Sequence, residues 1–104
     1  MAIECKESMN TIVLNGRNID NEDEFHTEFA KRAQLGSGYG RNRDALYDVL
    51  TGDIEWPVKV IWEHASQSKV RMGAAYDEVV GTLLRAVQHA KSGPYPDDVQ
   101  VVFR

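Results

Sequence analysis

Trp56-Pro57-Val58-Lys59-Val60-Ile61-Trp62 (WPVKVIW) is the stretch that decides the fold. Proline disfavours helix in the residue before it, so Trp56 enters an extended segment. Val58–Trp62 is then almost continuously apolar. That suits a strand covered on both faces, as strands of parallel sheets are. Parallel neighbours need crossover connections, usually helical, so the flanking sequence should alternate strands with helices. Upstream, Asn10–Leu14 (NTIVL) reads as a first strand closed by the turn pair Asn15-Gly16. Downstream, Val99–Phe103 (VQVVF) reads as a third strand.

The intervals carry helical patterns. Asp20 or Asn21 can cap a first helix, and Asn21 with Glu24 has capping-box spacing. Glu22, Asp23 and Glu24 fill its first turn, and Lys31 and Arg32 its last, as the helix dipole favours. Phe25, Phe29 and Ala33 give it a buried stripe. His26 with Glu22 one turn earlier reads as an ordinary surface pair. Gly36, Gly38 and Gly40 form a loop in which glycine can supply positive φ angles. Asn42 can cap a second helix that ends near Gly52. A short helical piece fits His64 to Lys69. Met72 to His89 holds the strongest amphipathic pattern, with Tyr76, Val79, Val80, Leu83 and Val87 on one side, and Ser92-Gly93-Pro94 stops it. The order predicts an α/β domain: a small three-stranded parallel sheet packed with about three to four helices. Residues 1–9 read as a flexible polar lead and 10–104 as one domain.

The chain has 104 residues, enough for one core. Its 42% hydrophobic and 27% charged content is that of an ordinary soluble protein. Apolar runs are too short for a transmembrane helix, and the opening Met-Ala-Ile-Glu-Cys-Lys shows no apolar signal region. Cys5 is the single cysteine and has no internal disulfide partner. These features predict a cytoplasmic protein with no membrane partner. With 16 acids against 12 bases, direct nucleic-acid binding is not expected, and a basic protein partner is.

The imbalance is local. Residues 44–55 hold four acids and no base, and without them the chain is balanced at 12 of each. At ~100° per residue, Ala45, Leu46, Val49 and Leu50 share one face of the second helix. Asp44, Tyr47, Asp48 and Thr51 share the other. Like charges four residues apart destabilise a helix by about 0.2–0.5 kcal/mol. The dipole accounts for Asp44 in the first turn, but Asp48 has no base three or four positions away on its helix. A solvated surface and a docking surface explain this face about equally on these grounds. Tyr39 can likewise be a contact or a loop anchor on the core.

Catalytic and metal chemistry have little support. His26, His64 and His89 are scattered and make no HExxH motif. No cysteine cluster, GxSxG or GxGxxG motif occurs, and the glycine loop lacks the following lysine of a P-loop. No catalytic residue, metal or cofactor is expected.

The string Tyr39-Gly40-Arg41-Asn42-Arg43-Asp44-Ala45-Leu46-Tyr47-Asp48-Val49-Leu50-Thr51-Gly52 resembles the barstar family, small intracellular inhibitors of ribonucleases. The family pattern is close to YG-x-N-x-DAL-aromatic-D-x-LTG. A second matching stretch runs from Glu55-Trp56-Pro57 to Ile61-Trp62 and Gln67-Ser68-Lys69. Asn15-Gly16 after the first strand also fits. The similarity spans about residues 10–103, with its strict motifs near the middle. It implies a non-enzymatic protein whose second helix plugs a cytotoxic ribonuclease, its acids standing in for RNA phosphate. By the resemblance, Asp48 is the central acid and Asp44 its support. Tyr39, Gly40 and Asn42 form the approach loop, Tyr47 is the flanking aromatic, and Thr51 and Gly52 are the helix-end contacts. The free protein is expected to be a monomer. Gly38 and Asp53 stand where family members can carry aromatics, Arg41 and Arg43 add positive charge, and Arg85 or His89 falls where the family has a further contact acid. An immunity or binding module directed at a different basic toxin or protein is the alternative.

Overall fold

The structure, a computed structural model, describes residues 10–54 and 57–104, with Asp53 described by its backbone alone. The predicted polar lead, Cys5 and Trp56 lie outside the described residues. Strand β1 is Asn10–Asn15 and leads through a 3-10 turn, Gly16–Asn18, to helix α1, Glu22–Arg32. Helix α2, Arg43–Asp48, continues into a π-helical turn, Val49–Asp53. Strand β2, Val58–Glu63, is followed by α3, Ala65–Met72, α4, Ala74–Lys91, and β3, Val99–Phe103. The three strands are parallel in the order β1-β2-β3. The predicted class, strand order of the chain and helix count all agree with this arrangement. Among the described residues no helix is long and apolar enough to cross a membrane.

β2 is the central strand. Val58, Val60 and Trp62 are fully buried, as are Ile12 and Leu14 of β1 beside them. Alternation along a strand sends the remaining residues to the opposite face. There Thr11 and Val13 are exposed, so coverage of both faces is only partial. Ile61 is sheltered by its register neighbours Val13 and Val102 on the two adjoining strands.

Trp62 organises the core. Its ring centroid lies 5.1 Å from Phe25 and 5.2 Å from Tyr76. Its indole N–H donates to Ser68 Oγ at 3.1 Å, and that hydroxyl donates to the Gly16 carbonyl at 3.0 Å. Burying Trp62 therefore leaves no polar atom unpaired. Gly16 packs so closely that a Cβ there would meet the His64 and Glu63 carbonyl oxygens at 2.4 and 2.5 Å. The turn glycine of the sequence is thus a contact between β1 and the end of β2.

The amphipathic run read from Met72 is divided. Gly73, at φ 62° and ψ −131°, ends α3 and opens α4, a conformation that excludes most residues with a side chain. Met72 belongs to α3, and α4 buries Val79, Thr82, Leu83, Ala86 and Ala90. Tyr76, Val80 and Val87, expected on the same side, pack at its half-buried border.

Candidate functional site

Local chemistry sets the start of α2. Asn42 is extended and its Oδ1 accepts the Ala45 N–H at 2.7 Å, capping the helix. Before it, Arg41 adopts a left-handed φ of 56°. Its guanidinium donates to Asp23 Oδ1 at 2.9 Å and Thr27 Oγ1 at 2.7 Å, tying the end of the loop to α1. A helix this short is marginal by itself. Leu46 and Leu50 are fully buried, and burial of two such side chains contributes roughly 3–6 kcal/mol. The core, rather than helix propensity, holds α2 in place.

The last turn widens. Ile54 N–H reaches the Val49 carbonyl at 2.9 Å, five residues back, the π-helical spacing. Thr51 Oγ1 donates to the Tyr47 carbonyl at 2.7 Å, satisfying a group near the loosened ladder. Gly52 is exposed, and a Cβ built there meets no heavy atom of the described residues within 4 Å.

The outward residues match the predicted face, with Tyr47 and Thr51 only partly exposed. Asn42, Asp44, Asp48 and Gly52 are exposed, and Thr51 is intermediate. Tyr47 is half-buried, with its ring 6.1 Å from that of His89 at 74°, so it bridges α2 to α4. Among the described residues neither Asp44 nor Asp48 has an ion pair. The neighbouring arginines do not neutralise them. Arg41 pairs with Asp23 at 2.9 Å, and Arg43 pairs with Glu22 at 3.5 Å and Glu78 at 3.6 Å.

Two recesses flank α2. One, of about 410 Å³, is lined by Leu35, Gly36, Gly38, Tyr39, Gly40, Ala45, Asp48 and Val49. Its walls are mostly apolar with Asp48 at the edge, which suits a cationic head on an apolar stem. The other, of about 430 Å³, is lined by Glu22, Asn42, Arg43, Asp44 and Arg85. Gly36, Gly38 and Gly40 have no positive φ. Gly40 instead permits close packing, since a Cβ there would lie 3.1 Å from that of Ala45.

Tyr39 lies at the wall of the first recess but points its hydroxyl inward. The hydroxyl lies 2.7 Å from His26 Nδ1, and the rings of Phe29 and His26 are 5.8 and 5.7 Å away. His26 is therefore not a surface residue; it is 1% exposed. Its Nε2 lies 3.1 Å from Glu22 Oε2. A carboxylate only accepts, so Nε2–H donates to it, and in the neutral ring Nδ1 accepts the Tyr39 O–H. Burial raises the Tyr39 pKa above its ordinary 10, opposed by Arg41 and reinforced by Glu22. The phenol stays protonated and able to donate. Sequence reasoning missed this network because its two halves are 13 residues apart. It missed Glu28 as well, a buried carboxylate that accepts the Asn15 N–H at 3.0 Å and the Arg32 Nε–H at 2.9 Å. Among the described residues no group of three or more His, Cys, Asp or Glu is placed to hold a metal ion.

These features define a class: a small parallel α/β domain presenting a core-anchored helix whose outward acids have no ion pair among the described residues. The chain belongs to the barstar family; the family model described as Barstar (barnase inhibitor) matches residues 9–104. It is also similar to a Bacillus subtilis (strain 168) protein described as "Putative ribonuclease inhibitor YrdF". The two are 29% identical over 83 residues, covering 80% of this chain and 91% of that protein.

Proposed function

We propose that the protein is a ribonuclease inhibitor that binds its target stoichiometrically through α2 and performs no catalysis of its own. The family described as barnase inhibitors and the similarity to YrdF support the general role. The observation that carries the docking site is the pair Asp44 and Asp48, exposed on a rigid helix with no ion pair among the described residues. A ribonuclease must hold RNA phosphate with cations, and a fixed carboxylate can occupy such a site with little ordering cost. The unneutralised acids also speed encounter with a basic partner.

Asp48 is the central acid in this reading, and the recess beside it receives a cationic side chain. Asp44 supports it from one turn earlier on the same face of α2. Gly40, Asn42, Tyr47, Thr51 and Gly52 border the contact, and Tyr39 shapes the loop from within. The protein acts in the cytoplasm against a nuclease made there or delivered into it. Arg85 on α4, with no ion pair among the described residues, favours one variant of this reading, a nuclease-type toxin whose surface is not uniformly basic.

The test is Asp48→Ala, measured by calorimetry and inhibition assay against a target ribonuclease. Affinity should fall by at least about 2 kcal/mol, as for interface hot spots, a range that includes the barnase–barstar pair and so is a family comparison. Folding should be unchanged, because the side chain is exposed. Wild-type affinity in a folded variant would remove Asp48 from the site.

A further inference from the structure

The recess between α2 and α4 holds two opposite charges that do not meet. Asp44 and Arg85 both line it, and among the described residues neither has an ion pair. Arg43, in the same recess, is already held by Glu22 and Glu78. Arg85 instead donates from Nη2 to Thr82 Oγ1 at 3.2 Å, a contact that holds the guanidinium without neutralising it. His89 follows one turn later on α4, its ring against Tyr47. The surface therefore carries an acidic stripe, Asp44 and Asp48, beside a stripe of Arg85 and His89, with Tyr47 on the seam.

We propose that Arg85 is a specificity-determining contact: the partner places a carboxylate opposite Arg85, beside the cations that meet Asp44 and Asp48. The inference rests on the docking role of α2 proposed above. A uniformly basic partner would press Arg85 against like charge while stripping its water, and such juxtapositions are strongly unfavourable. A partner carboxylate turns that repulsion into a charge-assisted hydrogen bond. The mixed pattern also matches in one orientation only, so it fixes the rotation of the partner about α2. Arg85 thus admits partners with an acid bordering the basic site and rejects close relatives that lack one.

The probe is catalytically inactive barnase, with a panel of single variants in which each basic residue bordering its active site is replaced by Glu. Calorimetry gives Kd for each against the wild-type chain, Arg85→Ala, Arg85→Glu and Asp48→Ala. Circular dichroism melts establish that the four inhibitors are folded. At least one Glu variant should bind the wild-type chain tenfold or more tighter than it binds Arg85→Glu. Against unaltered barnase that preference should reverse, and Arg85→Ala should fall between. Coupling to Arg85 below twofold at every panel position overturns the inference. If Asp48→Ala still loses binding in that case, the docking reading stands. Undiminished binding by Asp48→Ala, or no binding of the wild-type chain to any panel member, overturns both.

Discussion

Replacing Tyr39 with Phe separates shaping the docking loop from touching the partner. The aromatic ring remains, so its contacts with Phe29 and His26 persist. Only the O–H is lost, and with it the 2.7 Å partner of His26 Nδ1. His26 is 1% exposed, so water cannot replace that partner without opening the structure. An unpaired buried ring nitrogen costs about 1–3 kcal/mol. Apolar burial is nearly unchanged and offsets little of this. A domain of this size has only about 5–15 kcal/mol of stability, so the loss is readily measured. Urea unfolding followed by tryptophan fluorescence should show a lower midpoint with an unchanged m value. Affinity for a ribonuclease target should change by less than about threefold, as for groups outside an interface. An unchanged midpoint with a tenfold loss of affinity would refute the argument, because the hydroxyl would then be acting on the partner.

Gly52→Ala probes the other end of α2. Among the described residues the position is open, and its φ is not positive, so the fold should be neutral or gain about 0.4–1 kcal/mol from a stiffer unfolded chain. Affinity for the target should nevertheless drop, because the new methyl group stands at the proposed contact; equal Kd values in calorimetry would take Gly52 out of the interface. Glu28→Gln tests the buried acid. Burial pushes the Glu28 pKa up, but the Asn15 N–H and the Arg32 guanidinium outweigh it, with help from Asn18, and hold it below its ordinary 4.5. A lowered folded pKa gives stability that is present above the unfolded value and lost as pH falls through the folded one. Stability of the wild type should therefore fall more steeply than that of Glu28→Gln below about pH 4.5. Parallel acid limbs in urea midpoints against pH would exclude this role.

Features governed by neighbouring residues were legible in the sequence. Asn42 and Asn21 cap the helices as their spacing indicates, and the two faces of α2 fall where the helical period puts them. β2 itself was legible from its apolar run, although its two faces are covered only in part. Features that depend on distant segments were not legible. His26 beside Glu22 looks like a surface pair until Tyr39 closes over it. Gly16 looks like a turn residue until the carbonyls of Glu63 and His64 arrive against it. Gly73 sits inside an unbroken amphipathic pattern, and only its φ and ψ reveal the junction of two helices. The arginines near α2 seemed to dilute its charge, but α1 and α4 supply their partners. In each case a one-dimensional pattern lacks the second segment that gives the residue its role.

Leu46, with Val49 and Leu50 of the following turn, secures α2 from beneath, while among the described residues Asp44 and Asp48 make no ion pair above it. Exposed substitutions away from such structural contacts usually shift stability by less than about 0.5 kcal/mol. The outer positions can therefore mutate almost without endangering the fold. With α2 as the proposed docking surface, a lineage facing a changed nuclease can alter these few letters and leave the scaffold intact. Recognition would then diversify faster than architecture, and paralogues with the same core could protect against unrelated attackers.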